Sequence, residues 1–228
     1  ILMANIAPSN LSENTSVKVV GAMKNVMWKG QLGGIVSLDT LAPKKGLYGL
    51  GPLAYLKGEL LILDGNVYAS TVNSQGQPQV ALAPKSTAPF FVYGNATQWQ
   101  QKILPQAVND LASLEEYVAQ QTIKKSEPFI FKIEGTVNTA KYHIQNLADN
   151  SVVTNPQEAH AGQQSFALKN RKVIIVGFYS KNHKGVFTHH DTNMHLHIIT
   201  ADKSEMGHLD GLELDPNAVQ KLFLADHK

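Results

Sequence analysis

Three histidines, His195, His197 and His208, have the types and spacing of a metal centre. His195 and His197 lie two apart in the β-leaning segment Met194 to Thr200. Strand side chains alternate, so both imidazoles leave on one face, while Met194, Leu196 and Ile198 take the other and can enter a core. The segment Ala201 to Gly207 then turns the chain back. A turn centred between Asp202 and Lys203 brings His208 directly opposite His197, with Cβ atoms roughly 4.5–5.5 Å apart and His195 a diagonal neighbour at about 7–8 Å. Three imidazoles thus converge from one face of a two-stranded ribbon. Three protein ligands with a fourth position open is the arrangement of a catalytic zinc ion, as opposed to a closed structural one. The same register sets Asp210 opposite His195, where it could orient that ring from behind.

A catalytic metal usually works beside a proton donor. Glu59, alone in the apolar segment Leu56 to Leu63, is the first candidate, although an acid on a strand is commonly a solvent-face residue; Glu134, between Ile133 and Gly135, is the second. His189 and His190 are adjacent and cannot share a strand face; they read as loop residues, solvated in preference to lining a site. His183, His160 and His227 carry no pattern.

The elements that must position these groups are short and mostly extended. Residues 1–16 are polar and aperiodic and read as a loose arm. Val17 to Met23 reads as a strand, and glycines follow at Gly30, Gly33, Gly34, Gly46, Gly49 and Gly51, with Pro52 behind them. Glu59 to Leu63 and Asn66 to Val72 flank an Asp64-Gly65 hairpin signal. Gln77 to Leu82 and Pro89 to Tyr93 read as further strands. Leu104, Val108, Leu111, Leu114 and Val118 fall three and four apart, which predicts a helix starting at Pro105. Phe129 to Val137 and Lys141 to Leu147 read as a strand pair, and Val173 to Phe178, Met194 to Thr200 and His208 to Leu214 as strands. Pro216 to Leu224 reads as a closing helix. The pattern implies an α+β, mainly β fold with mixed or antiparallel sheets and few helices. It divides into a β-rich half over 17–125 and a second β-rich half over 126–228 that carries the metal site, the two packed as one unit.

The chain has 228 residues, enough for a core that buries about 70% of the unfolded surface. Charged residues are 17%, and 20 Lys+Arg against 18 Asp+Glu give a formal net charge of +2, which excludes a strong general field for nucleic acid or acidic membrane. The pairs Lys44-Lys45 and Lys124-Lys125 read as solvated surface. Apolar runs stay far short of the ~20 residues of a membrane span. Cysteine is absent, which rules out disulfides, thiolate nucleophiles and Cys-ligated zinc. Arg171 is the single arginine, so the chain has one candidate for two-pronged carboxylate recognition. The chain opens on Ile1, which points to a trimmed or processed product. The stretch to Ala7 is too short and lacks the basic flank of a signal peptide. The compartment therefore stays open between cytoplasmic and periplasmic or secreted, an upstream signal having been removed in the latter case.

Two blocks resemble the zinc-dependent alpha-acetolactate decarboxylases: Tyr48-Gly49-Leu50-Gly51 with Gly58-Glu59-Leu60 and Leu63-Asp64-Gly65, and His195-Leu196-His197 with Gly207-His208 and Gly177-Phe178 upstream. Weaker likeness runs from about Met23 to Leu214. The resemblance implies mixed β-sheets with a few helices, a homodimer, one zinc ion per chain, and conversion of 2-acetolactate to acetoin and carbon dioxide. It makes His195, His197 and His208 the zinc ligands and Glu59 the glutamate beside the metal. An ion there can stabilise the enediolate left when carbon dioxide departs, and a carboxylic acid can deliver the proton to one face. Departures are equally visible. His143, two after Lys141, stands where the family has an active-site arginine and takes the catalytic place by alignment. Arg171 lies too far along to substitute. Pro52 replaces a site threonine, and no counterpart of a C-terminal glutamate precedes Lys228. The stretch Thr188-His189-His190-Asp191 is also unlike typical members. A small hydroxy-keto acid is the substrate class. Two other readings stay open: a zinc-containing homologue that binds a small ligand without catalysis, and a cupin-like metal-dependent oxygenase, where His-x-His on a strand also binds metal.

Overall fold

The chain is rich in short apolar strand segments, and the strands they form are paired antiparallel throughout. The structure, a computed structural model, describes residues 17–41, 44–122 and 127–226. The arm over 1–16, Lys124-Lys125 and His227 lie outside the described residues. In chain order the elements are β1 (Lys18–Val20), α1 (Met23–Lys29), β2 (Val36–Ser37), β3 (Leu47–Pro52), β4 (Glu59–Leu63), β5 (Asn66–Val72), β6 (Pro78–Leu82), β7 (Thr87–Ala88), β8 (Phe91–Asn95), β9 (Trp99–Ile103), α2 (Leu111–Gln121), β10 (Phe129–Ile144), α3 (Pro156–Ala159), β11 (Gln164–Tyr179), β12 (Met194–Thr200), β13 (Met206–Leu214) and β14 (Lys221–Ala225).

The first sheet runs β1-β8-β3-β4-β5-β6 and the second β11-β12-β13-β10-β14-β9, with β2 and β7 a separate short pair. Strand β10 also pairs with β11 along its length, so β10, β11, β12 and β13 close on themselves. The two sheets face each other across a core of Tyr48, Leu50, Leu61 and Val92 against Ile130, Val176, Phe178, Ile199 and Met206. Side chains of this size contribute about 1.5–3 kcal/mol each when fully buried. On the far side of the second sheet, Met194, Leu196 and Ile198 pack with Leu114 and Val118 of α2. On the far side of the first, Leu60 and Ile62 pack with Leu38, Ala88 and Phe91. Both faces of β4 and β12 are therefore covered. Their alternation sends Glu59 and Leu61 from one sheet, and His195, His197 and Ile199 from the other, into the space between.

Several elements differ from the sequence expectation, each for a local reason. Val17 to Met23 is not one strand: β1 stops at Val20 and Met23 opens α1, whose Met23, Val26 and Met27 form a buried stripe. The helix expected from Pro105 begins at Leu111. Asp110 caps it by accepting from the Ser113 N–H at 2.8 Å, and an Asp at this position favours the cap over the helix interior. Leu104 and Val108 still enter the same core from outside the helix. The expected strand pair over Phe129 to Leu147 is the single strand β10; a register shift between Val137 and Thr139 absorbs Asn138 without a turn. The closing helix is instead a turn followed by β14, where Leu222 and Leu224 alternate into the core. The glycine-rich stretch is strand β3, where Gly49 and Gly51 leave room for the Phe91 ring: a Cβ would meet it at 2.6 and 2.8 Å. The Asp64-Gly65 hairpin is as expected, with φ of 48° and 84°.

Gly58 fixes the start of β4. A Cβ there would meet the Ser70 carbonyl oxygen at 2.3 Å, so only glycine lets β4 and β5 approach. Gly58→Ala is expected to cost about 1–3 kcal/mol, the range of overpacking, read as a lowered melting midpoint, and to shift Glu59.

Candidate metal centre

The hairpin register decides the site. His197 pairs with His208 across β12 and β13, and His208 pairs with His143 across β13 and β10. Three imidazoles thus stand in a row on adjacent strands, with His195 one pleat repeat along β12. His195 Nε2 lies 3.1 Å from His208 Nδ1, and one ligand nitrogen from each of His195, His197 and His208 falls within 4.8 Å of the others. Glu59 reaches in from the first sheet. Its carboxylate oxygens stand 3.6 Å from His197 Nε2 and 3.9 Å from His143 Nε2, and one accepts the Gln145 N–H at 3.3 Å.

The chemistry of the donors suits a cation. His195 and His197 are 3% and 0% exposed; the Phe187 and Leu60 backbones lie against their rings, and His197 Nε2 meets no hydrogen-bond partner among the described residues. Buried polar atoms are rarely left unpaired, and an ion bound by one nitrogen of each ring would satisfy His197 Nε2, the nitrogen on the Glu59 side. Burial pushes the pKa of all three imidazoles down, that of His197 to about 3, helped by the neighbouring histidines. They are therefore neutral, the form that binds metal. Burial drives Glu59 the other way, well above the usual carboxylate range. The Gln145 N–H opposes this and the Asp210 charge adds to it. The shift favours the protonated carboxyl, the form a proton donor needs.

A pH prediction follows from the sign of these shifts. The folded, metal-free protein holds His197 neutral down to about pH 3, whereas the unfolded chain takes up its proton near 6.5. Stability is therefore complete above about 6.5 and falls as pH drops toward 3, by up to about 5 kcal/mol from this group alone. Denaturant melts of metal-free protein across that window check it; a flat profile contradicts it.

Asp210 does not stand behind His195. Both its carboxylate oxygens lie 2.8 Å from His143 Nδ1, because β13 faces β10 here and the register shifts between Lys141 and Tyr142. His143 is buried, stacks on His208 at 4.6 Å between ring centroids, and turns Nε2 toward Glu59 and the Gln145 side chain. Lys141 is exposed. His143, His208 and Asp210 also form a second set of donors within 4.8 Å. Glu134 pairs with Lys132 at 2.5 Å, and Arg171 holds Asp202 and Glu205 at 2.9 and 3.2 Å beside the β12–β13 turn; neither lines the cavities around the histidines.

An outer cavity of about 600 Å³ opens onto His143, His208 and Asp210, and a deeper one of about 30 Å³ reaches Glu59 and His195. Both are lined by His160 and His189 as well. His189 thus lines the site, edge-on to His208 at 5.5 Å, while His190 is exposed. Sequence reasoning missed His160, Gln145 and Gln163. The Asn155-Pro156 pair does signal the short α3 that His160 terminates, since Asn155 caps it.

An antiparallel two-sheet fold whose layers meet at three convergent imidazoles and a buried glutamate defines a candidate metal-dependent enzyme site. The chain belongs to the alpha-acetolactate decarboxylase family, whose model matches residues 20–225. It is 27% identical over 214 residues to an alpha-acetolactate decarboxylase of Brevibacillus brevis, covering 93% of this chain and 70% of that protein. Its fold is similar to that of acetolactate decarboxylase from Bacillus subtilis subspecies spizizenii, with TM-score 0.73 at 21% identity over 92% of this chain and 85% of that one. A Staphylococcus aureus protein of unknown function similar to alpha-acetolactate decarboxylase superimposes with TM-score 0.74 at 19% identity, over the same shares.

Proposed function

We propose that the protein decarboxylates 2-acetolactate to acetoin, with zinc held by His195, His197 and His208 and with Glu59 as proton donor. Zinc and a homodimeric assembly are carried over from the family. The observation that carries the reading is the buried Glu59 carboxyl 3.6 Å from His197 Nε2 beside the three-imidazole cluster. A divalent ion held there supplies Lewis-acid stabilisation of the oxygen charge that develops as the bond to the carboxylate breaks. The electron pair of that C–C bond stays with the remaining carbon skeleton while carbon dioxide leaves. Glu59 then gives its proton to the carbon that lost the carboxylate and is reprotonated from water, so one proton is consumed per turnover. Asp210 accepts from Nδ1–H of His143 and fixes that ring with its Nε2 lone pair toward the cavity. There it can accept the substrate's hydroxyl hydrogen. A single ring nitrogen does not reproduce the fork of a guanidinium, so turnover is expected to be slow and to fall further in His143→Ala. The test compares zinc-loaded with chelator-stripped protein on racemic 2-acetolactate. Equal amounts of acetoin and carbon dioxide from the loaded protein alone support the reading; ligand binding without acetoin would leave the non-catalytic homologue.

A further inference from the structure

The two donor sets of the centre share one residue. His195, His197 and His208 form an inner set and His143, His208 and Asp210 an outer one, the ligand atoms of each lying within 4.8 Å of one another. His208 stands between them. Its ring centroid is 4.6 Å from that of His143, 4.8 Å from that of His195 and 5.5 Å from that of His197. The series follows from strand order, since β10, β13 and β12 lie side by side and their paired histidines form one row. Exposure falls along it. The Asp210 side chain is 37% exposed and His143 7%, while His197 is fully buried. All three outer residues line the cavity of about 600 Å³, and neither His195 nor His197 does. Behind the inner set, the deep cavity is walled by Met23, Met27, Pro52, Leu56 and Phe90, which offer an ion no oxygen or nitrogen side-chain donor.

We propose that His143, His208 and Asp210 form an entry station for the metal: a divalent ion from solvent binds there first, then trades Asp210 and His143 for His195 and His197 around His208. An ion entering a dry interior needs protein donors in place of each water it sheds, and carboxylate and imidazole both suit zinc. Asp210 supplies the charge at the mouth. Glu115 and Asp191 line the same cavity, but Glu115 is already tied to Thr192 and Asn193 at 2.6–3.0 Å. The proposal rests on the inner set being the metal centre and does not depend on the reaction. A station on the way changes rates and leaves the end point alone. Removing it raises one barrier for entry and exit alike, so both slow by the same factor.

The test follows cobalt(II), whose absorption reports its coordination, into chelator-stripped protein by stopped flow, and then its loss to excess chelator. Asp210→Asn is expected to slow uptake by about tenfold, the low end of what charge focusing contributes to association rates, and His143→Ala severalfold. Release should slow by the same factor in each, with the final spectrum and affinity those of the wild type. Raising the salt should narrow the Asp210→Asn difference and leave that of His143→Ala. Wild-type rates in both variants overturn the proposal while the centre stands. Faster release with weaker binding also overturns it, because the two residues would then support the final site. A wild-type cobalt spectrum that persists in His197→Ala overturns the centre and the route together.

Discussion

Glu59→Gln will reduce acetoin formation by about 10²–10⁴-fold, the usual contribution of a positioned general acid, while the metal content stays that of the wild type. Glutamine keeps the shape and can still accept the Gln145 N–H, but its amide has no proton to give to carbon. Stability should change little, because burial favours the neutral form of the Glu59 carboxyl, which the glutamine amide matches in shape and charge. Parallel metal analysis and steady-state assays check both halves. Retained activity would remove Glu59 as the donor; lost metal would make it a ligand.

His197→Ala will strip the ion and with it all activity above background. His197 is fully buried with Nε2 unpartnered among the described residues, so the change removes a donor that nothing else at that position can supply. Asp210→Asn makes the instructive contrast. Asp210 touches His143 and lies outside the His195, His197 and His208 set, so the variant should keep its metal and lose about 10–100-fold in activity, the range for groups that orient site residues. Metal content after dialysis separates the two: near zero for His197→Ala, unchanged for Asp210→Asn. A full complement of metal in His197→Ala would move the centre to the donors around His143.

The local part of this site was legible in the sequence because a tight hairpin has few registers. His195, His197 and the turn after Thr200 fix where His208 arrives, and the observed pairing of His197 with His208 is the one that spacing dictates. The β4–β5 hairpin reads equally well, since Asp64-Gly65 both allows the turn and sets its register. Long-range closure is what the sequence conceals. Nothing near Lys141 or Asp210 announces that β13 lies against β10, so the carboxylate assigned to His195 belongs to His143. The same pairing buries His143 and exposes Lys141. Glu59 looked like a possible solvent-face residue because its burial depends on the whole second sheet arriving opposite β4. His160 had no pattern because it closes a four-residue helix, too short to show a period. The missed strand β14 is different: Leu222 and Leu224 do alternate, but over five residues a period-two pattern is too short to decide against a helix.

Running the reaction in deuterium oxide and determining the configuration of the acetoin formed tests the central claim most directly. If Glu59 delivers the proton within the cavity, the deuterium sits on the carbon that lost carbon dioxide and a single enantiomer predominates. Racemic deuterated acetoin would mean that the carbon is protonated after release, in free solution, and would contradict the account.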